Sequence, residues 1–322
     1  MNPYELDQIF RTYIDIQNQR KELENRAYDR KVLVCANGHM VTVEKIGVKS
    51  PFSKKRKRLA SLELCPICMA KAEVREYRPP KIIKDIVAEL KEQEKKLVAA
   101  MFEYVKDDPI WQFWLQYVKG IGPTHAAYLL SVIRTKDFEY PTKLWAYFGL
   151  YPIAVCEDCK AVQKPYRHGI TCPKCGKPMK PKLPTKVVSK MYNLGTLGFD
   201  PTRRARMYVI TMSLVMAGGV YGRVFSRWLI EDKANNKRTA WVRLAKLFLA
   251  HLYEVDRRIR GLPVPKPYMI EYGLHNEYIP PLIDEKPELI TKTQFYEKLL
   301  SNMHYDVEKY IGLIRELSEK KA

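Results

Sequence analysis

Six of the seven cysteines stand in pairs separated by two residues: Cys65 and Cys68, Cys156 and Cys159, Cys172 and Cys175. An odd total in this spacing does not make a disulfide framework; it suits thiolates held on a metal ion in a reducing compartment. Twelve residues separate the pair Cys156/Cys159 from the pair Cys172/Cys175. This is the pattern of a zinc ribbon, in which two short turns present four thiolates to one tetrahedral ion. Four protein ligands leave no position for water or substrate, so the zinc expected there is structural. Cys35 and His39, followed after 25 residues by Cys65 and Cys68, offer a second set of three thiolates and one imidazole. The alternative for that set is free cysteines buried as small hydrophobes. Two structural zinc ions per chain are the expectation.

A second kind of chemistry is written in the cations. Lys and Arg number 56 against 36 Asp and Glu over 322 residues, a formal charge of +20, and the sequence pI is about 9.5. That excess calls for an anionic partner, and nucleic acid is the expected one. The run Lys54, Lys55, Arg56, Lys57, Arg58 loops out between the ligands of the second zinc set. It reads either as a solvated loop or as a finger against phosphates, where each neutralised phosphate releases counterions. The stretch from Leu115 to Leu130 reads as a helix-hairpin-helix, with Lys119, Gly120, Gly122 and Thr124 as its phosphate-contacting set. Gly120 and Gly122 would permit a tight turn with φ > 0, and the next helix would expose its first N–H groups. A plain glycine-turned helical hairpin is the alternative. Arg203, Arg204 and Arg206 cluster at a helix start, where the dipole disfavours cations, so an anion is expected beside them. Such contacts read the backbone and not the bases.

The elements that must position these groups are mostly helices. Leu6, Ile9, Phe10, Tyr13, Ile14 and Leu23 mark an amphipathic helix over residues 3 to 30. KVLVC and MVTVEKI alternate like short strands around Cys35 and His39. From Ile83 the register Ile83, Ile86, Leu90, Gln93, Leu97, Ala100, Tyr104 predicts a coiled-coil seam, pairing with the first helix or with its copy in a second subunit. Short aromatic-rich helices fill residues 109 to 152, the ribbon 153 to 182, and further helices 186 to 261. A proline-rich connector with Pro263, Pro265, Pro267, Pro280, Pro281 and Pro287 leads to a last helix near 291–320. The fold class is thus mainly α with two small zinc-bearing β insertions. Three regions follow: a stalk at 1–106 with an insertion at 31–78, a helical domain at 107–260, and the connector with its helix at 261–322. The most apolar stretch, Met207 to Ile230, is broken by Gly218, Gly219, Gly222, Arg223 and Arg227, so no membrane span is expected. The start, MNPYELDQIF, has neither a basic nor an apolar signal region, and a cytoplasmic location is expected.

The blocks Gly120-Ile-Gly-Pro-x-x-Ala126-Ala-x-Leu-Leu, Phe138, Lys143-Leu-Trp-Ala146-Tyr-Phe-Gly149-Leu-x-Pro152, Ser189-Lys190, Arg203-Arg204-Ala205 and Ala240-Trp-Val-Arg-Leu-Ala-Lys246-Leu occur in this order. Together they resemble the C-terminal transposase domain of the insertion sequence 110/116/902 family over about residues 107 to 258. The resemblance implies a DNA-handling helical domain, and in full family members a recombinase that cuts and rejoins DNA with a guide RNA. Two departures stand out. Residues 1 to 106 show nothing like the family's acidic nuclease core, and no serine lies between Pro152 and Ser189, where the family places its nucleophile. Ser189, beside Lys190, is the one candidate nucleophile near that block, with ordinary helix-start chemistry as its alternative.

The leading expectation is a zinc-containing, sequence-tolerant DNA-binding protein built on a transposase-like domain, forming a homodimer or higher homo-oligomer. The alternatives are an active transposase or recombinase, alone or with a separate nuclease subunit, and a structural nucleoprotein coating DNA or RNA.

Overall fold

The computed structural model describes residues 2–45, 63–163, 169–183, 185–194, 200–231, 236–264, 278–284 and 307–319. Among these the chain is mainly helical, with ten α-helices and two three-stranded antiparallel sheets. It divides into two compact units, Gln8–Ala100 and a second formed by Met1–Asp7 with Met101–Ala322.

In the first unit, α1 (Pro3–Ala27) and α2 (Lys81–Val105) run antiparallel. Arg20 pairs with Glu94, Lys91 with Glu24 at 2.9 Å, and Lys84 with Asp29 at 3.1 Å. The buried register of α2 differs from the expected one. Ile83, Leu90 and Leu97 keep their places, but Val87 (6% exposed) replaces Ile86 (38%), and Glu94 replaces Gln93 as the polar position. The reason is charge: Glu94 meets Arg20, which also pairs with Glu24 at 2.6 Å, and Gln93 has no charge to offer it. α1 answers with Phe10, Tyr13, Gln17 and Arg20, each at least half-buried. Of the two expected partners for the seam, this structure shows the helix of the same chain. Between the helices β1 (Arg30–Cys35) lies at the centre of a sheet flanked by β2 (Met40–Lys45) and β3 (Ala72–Tyr77), with Val32 and Leu33 buried.

The second unit begins with α3 (Pro109–Phe113), a 3-10 turn at Leu115–Tyr117, α4 (Pro123–Thr135) and α5 (Pro141–Tyr147). A sheet of β4 (Ile153–Val155), β5 (Val162–Gln163) and β6 (Lys180–Lys182) follows, then α6 (Lys186–Met191). α7 (Pro201–Met216), α8 (Val220–Ile230), α9 (Lys237–Ile259) and α10 (Val307–Glu319) complete it. Proline opens α3, α4, α5 and α7, where its missing N–H costs nothing. Asp108, Thr185, Asp200 and Asn236 cap their helices through side-chain oxygens, satisfying otherwise orphaned N–H groups. Among the described residues no single helix is long and apolar enough to cross a membrane, and the apolar stretch from Met207 is two helices, α7 and α8, set at 90°.

The proline-rich connector departs most from expectation. Residues 278–284 do not form a separate region but pass through the core, with Leu282 and Ile283 fully buried. An extended segment can do this only if its polar backbone groups find partners. Pro280 and Pro281 bring no N–H, and the carbonyls of Ile279, Pro281 and Leu282 accept from His251 Nε2 (2.9 Å), Tyr310 Oη (2.9 Å) and Trp114 Nε1 (3.0 Å). Tyr310 of α10 and the stacked pair Trp114–Phe248, 5.4 Å apart, surround the segment with aromatic surface.

Because a carbonyl only accepts, His251 carries its hydrogen on Nε2, and Nδ1 accepts from Tyr221 Oη at 2.7 Å. Burial pushes its pKa down to about 3. An unfolded histidine titrates near 6.5, so this contribution to stability is complete above that pH and is lost as pH falls toward 3. At pH 5 the loss amounts to about 2 kcal/mol. We expect urea unfolding at pH 7.5 and 5.0 to show wild type losing about that much more than His251→Gln; equal losses would remove His251 as the cause.

Candidate functional site

The structure brings both sets of cysteines together. In the first unit Cys35, His39, Cys65 and Cys68 place their ligand atoms within 4.8 Å of one another, and in the second unit Cys156, Cys159, Cys172 and Cys175 do the same. Cys35 Sγ stands 3.6 Å from His39 Nδ1 and 3.6 Å from Cys68 Sγ. In the ribbon Cys156 and Cys175 are 3.5 Å apart, Cys159 and Cys172 3.3 Å, and Cys159 and Cys175 3.7 Å. A disulfide requires about 2.05 Å. A tetrahedral ion with metal–sulfur bonds of about 2.3 Å has a ligand–ligand edge of about 3.8 Å. The residues therefore fit one tetrahedral metal ion per set.

One local turn builds three of the four ligand pairs. The N–H of Cys65, Cys156 and Cys172 each donates to the carbonyl five residues on, at 2.8, 2.9 and 2.8 Å. Closing the turn requires a left-handed residue after the second cysteine, and Met69, Lys160 and Gly176 hold φ of 59°, 59° and 69°. Only the last is glycine; a side chain in that conformation costs about 1 kcal/mol. The turn folds backbone N–H groups toward sulfur. That of Ala70 draws the Cys68 pKa down to about 6, and that of Cys159 leads the lowering at Cys156, while burial raises Cys35 and the neighbouring sulfurs, against the pull of backbone N–H groups, raise Cys159 and Cys175. Alternation along β4 seats the ribbon. Ala154 packs beneath it with Cys156, Cys172 and Met179, and Ile153 and Val155 face Tyr192 and Leu194.

The Gly120–Gly122 turn joins the 3-10 turn to α4. Gly120 has φ +95°, and a Cβ there would meet Ser213 O at 2.6 Å, so glycine is required on both counts. Ser213 Oγ also donates to Gly120 O at 2.7 Å. Gly122, expected to share the left-handed conformation, instead has φ −98° and ψ 177°, ordinary extended backbone. A Cβ there would meet nothing within 4 Å. Gly122 is the N-cap of α4 without a side-chain cap, leaving the first N–H groups of a 13-residue helix beside an open approach. Lys119 is exposed next to it. Burial holds His125 below the ordinary histidine range, and the charge of Arg206 adds to that shift, placing Arg206 near the same helix start.

Asp284 is the site residue that the sequence did not disclose. Its carboxylate accepts from Lys119 N at 2.8 Å and from Val220 N at 2.6 Å, the start of α8. The core-threading segment thereby fixes the glycine turn from behind. No motif surrounds Asp284, and its partners Lys119 and Val220 stand 165 and 64 positions away.

The other expected residues divide. Arg203 lies over the Tyr147 ring at 4.1 Å and pairs with Asp200 at 3.7 Å. Arg204, expected to touch phosphate from the surface, is 8% exposed and donates to Gly149 O at 2.5 Å. It is a buried strut, because α7 turns that position toward α9 and Trp241, whose ring is 5.1 Å away. Ser189 lies inside α6, with its backbone N–H on Thr185 O at 2.7 Å; no imidazole or carboxylate hydrogen-bonds its hydroxyl among the described residues. The run Lys54–Arg58 lies outside the described residues. The two cysteine sets are, among the described residues, the only groups of three or more His, Cys, Asp or Glu side chains able to share a metal ion. No protein-family model, curated protein or solved structure matches the chain.

Proposed function

We propose that this is a zinc-stabilised nucleic-acid-binding protein that holds double-stranded DNA through its backbone, using a helix-hairpin-helix of the kind found in the C-terminal domain of insertion sequence 110-type transposases. The observation that carries the reading is the Gly120–Gly122 turn. It is locked from behind by Ser213 and Asp284, left open in front at Gly122, and placed on a chain of charge +20. A phosphate at that position would meet the N–H groups and positive dipole end of α4, with Lys119 and Arg206 close by. Zinc is the metal that three or four thiolates in tetrahedral array suit best. Its role is to hold the two small sheets, since each set is closed.

The protein binds without strand chemistry in this reading. Ser189 has no activating partner among the described residues, and a phosphodiester-attacking serine needs one. The buried carboxylates Asp108 and Asp256 are held by Arg134.

We expect duplex affinity to fall steeply with salt, with a log–log slope on the order of −5 for several phosphate contacts at about −0.9 each. Gly122→Val should weaken binding while leaving the unfolding midpoint in place, because the added side chain enters open space. Fluorescence anisotropy over a salt series checks both. Affinity indifferent to salt, or unchanged in Gly122→Val, would refute this reading, and a Ser189-dependent covalent DNA adduct would restore the recombinase alternative.

A further inference from the structure

α9 carries Arg238 and Lys246 eight residues apart, about 12 Å along one side of the helix. Arg204 of α7 lies against the same stretch, 5.1 Å from the Trp241 ring. None of these three cations has a carboxylate partner among the described residues. At the other end of α9 the pattern reverses: Arg258 pairs with Glu254 at 2.9 Å and Arg260 with Asp256 at 2.7 Å. The uncompensated charges also stand among aromatic rings. Lys246 Nζ is 5.3 Å from the Trp145 ring and 5.7 Å from Tyr151, and Trp145 Nε1 donates to Lys246 O at 2.9 Å, fixing that ring. Tyr208, half exposed, leans on Trp241 at 5.1 Å.

Two of these groups are held at a cost. Lys246 is pushed below the ordinary lysine range by burial and then by the charge of Arg204. Burial, followed by the charge of Arg238, lowers Arg204 to about 10. Trp241 is 6% exposed, and its Nε1–H has no acceptor among the described residues. A buried donor without a partner is unfavourable, and like charges gathered in a half-buried site repel. An anion at the surface would relieve the repulsion.

We infer that the surface carrying Arg238, Lys246 and Tyr208, backed by the buried Arg204 and Trp241, binds the backbone of a single-stranded nucleic acid, whose unpaired base stacks on Tyr208. Arg238 and Lys246, about 12 Å apart along the helix, meet separate phosphates of the strand, Arg204 supplies charge from behind while anchored on Gly149 O, and the exposed ring accepts any base because every base has a π-face. The site is separate from the Gly122 turn and rests on the nucleic-acid reading above. Arg206 serves the turn and Arg204 this second surface.

The test uses the full chain and three probes: a labelled twelve-residue oligothymidylate, a labelled duplex, and dTMP. Arg238→Ala and Tyr208→Ala alter exposed side chains, so they leave folding intact. Arg238→Ala should weaken oligothymidylate binding about tenfold and make the salt slope shallower by about 0.7. Tyr208→Ala should weaken it about 5- to 150-fold, the range of one lost stacking contact, and leave duplex affinity unchanged. Lys246→Met should repeat the Arg238 result. Wild-type single-strand affinity in both Arg238→Ala and Tyr208→Ala, with duplex binding still dependent on Gly122, would overturn this inference alone. Absence of all nucleic-acid binding would overturn the proposed function as well. dTMP binding as tight as the oligomer would make the occupant a free nucleotide and reject the strand.

Discussion

Stripping the metal should dismantle both small sheets while leaving the long helices largely formed. The purified chain is expected to hold two zinc ions, Cys156→Ser one, and Cys35→Ser the other one. Each set closes a local turn whose stability depends on a shared ion, and structural zinc in small domains contributes about 10–16 kcal/mol of apparent binding energy. That exceeds anything three short strands can supply. β4 has three residues and β5 two, far below what an isolated sheet needs to stand. In the ribbon the damage should extend to α6, because Ile153 and Val155 share a cluster with Tyr192 and Leu194. Metal analysis with limited proteolysis after chelation reads this out: cleavage should begin within 153–194 and 28–80. Two intact sheets in a metal-free protein would sink the prediction. A single zinc untouched by Cys35→Ser would dispose of the first unit's centre.

Arg134→Ala should be the most damaging single substitution away from the metals, at about 3–5 kcal/mol. Its guanidinium grips Asp108 with Nε at 3.1 Å and NH2 at 3.0 Å, while NH1 reaches Asp256 at 2.7 Å. Asp108 also caps α3, so one arginine ties the start of α3, the end of α4 and the end of α9. Both carboxylates are almost fully buried. Burial already raises the Asp256 pKa, with Arg134 and Arg260 opposing it; removing Arg134 strands Asp108 and leaves Asp256, close to that charge, with Arg260 alone. The thermal midpoint should fall by ~10 °C. Adding Asp256→Asn should recover part of the loss, since the two sites couple. A single variant within about 1 kcal/mol of wild type would mean that water replaces the guanidinium at little cost.

The metal sites were legible because ligand chemistry is local: two residues between cysteines already specify a turn that aims two thiolates one way. The helical class was legible for a similar reason, since helix period and caps such as Asp108, Asp200 and Asn236 act within a few residues. The seam was read half correctly. Ile86 and Val87 are adjacent and both apolar, so period alone does not choose between them, and the deciding contact, Arg20 with Glu94, spans 74 positions. Gly122 is extended where a left-handed backbone was expected, because glycine stands beside open space as readily as in a left-handed turn. Arg204 was misjudged because a run of arginines in sequence does not say which one its helix turns inward. The segment 278–284 was read as a linker because prolines resemble one, yet its partners Trp114, Tyr221, His251 and Tyr310 are scattered along the chain.

That threaded segment sets the order in which the molecule can be made. Trp114 waits for a carbonyl 168 residues downstream, and the glycine turn waits for Asp284. During synthesis the helices from α3 to α9 therefore leave the ribosome with an open slot where residues 278–284 belong, exposing aromatic surface until the chain delivers its own plug. Closure pairs parts far apart in sequence, which makes it slow. During that delay the slot is the vulnerable surface, open to aggregation or to a chaperone. The Gly120–Gly122 turn, too, is braced from behind only when the plug brings Asp284 to Lys119.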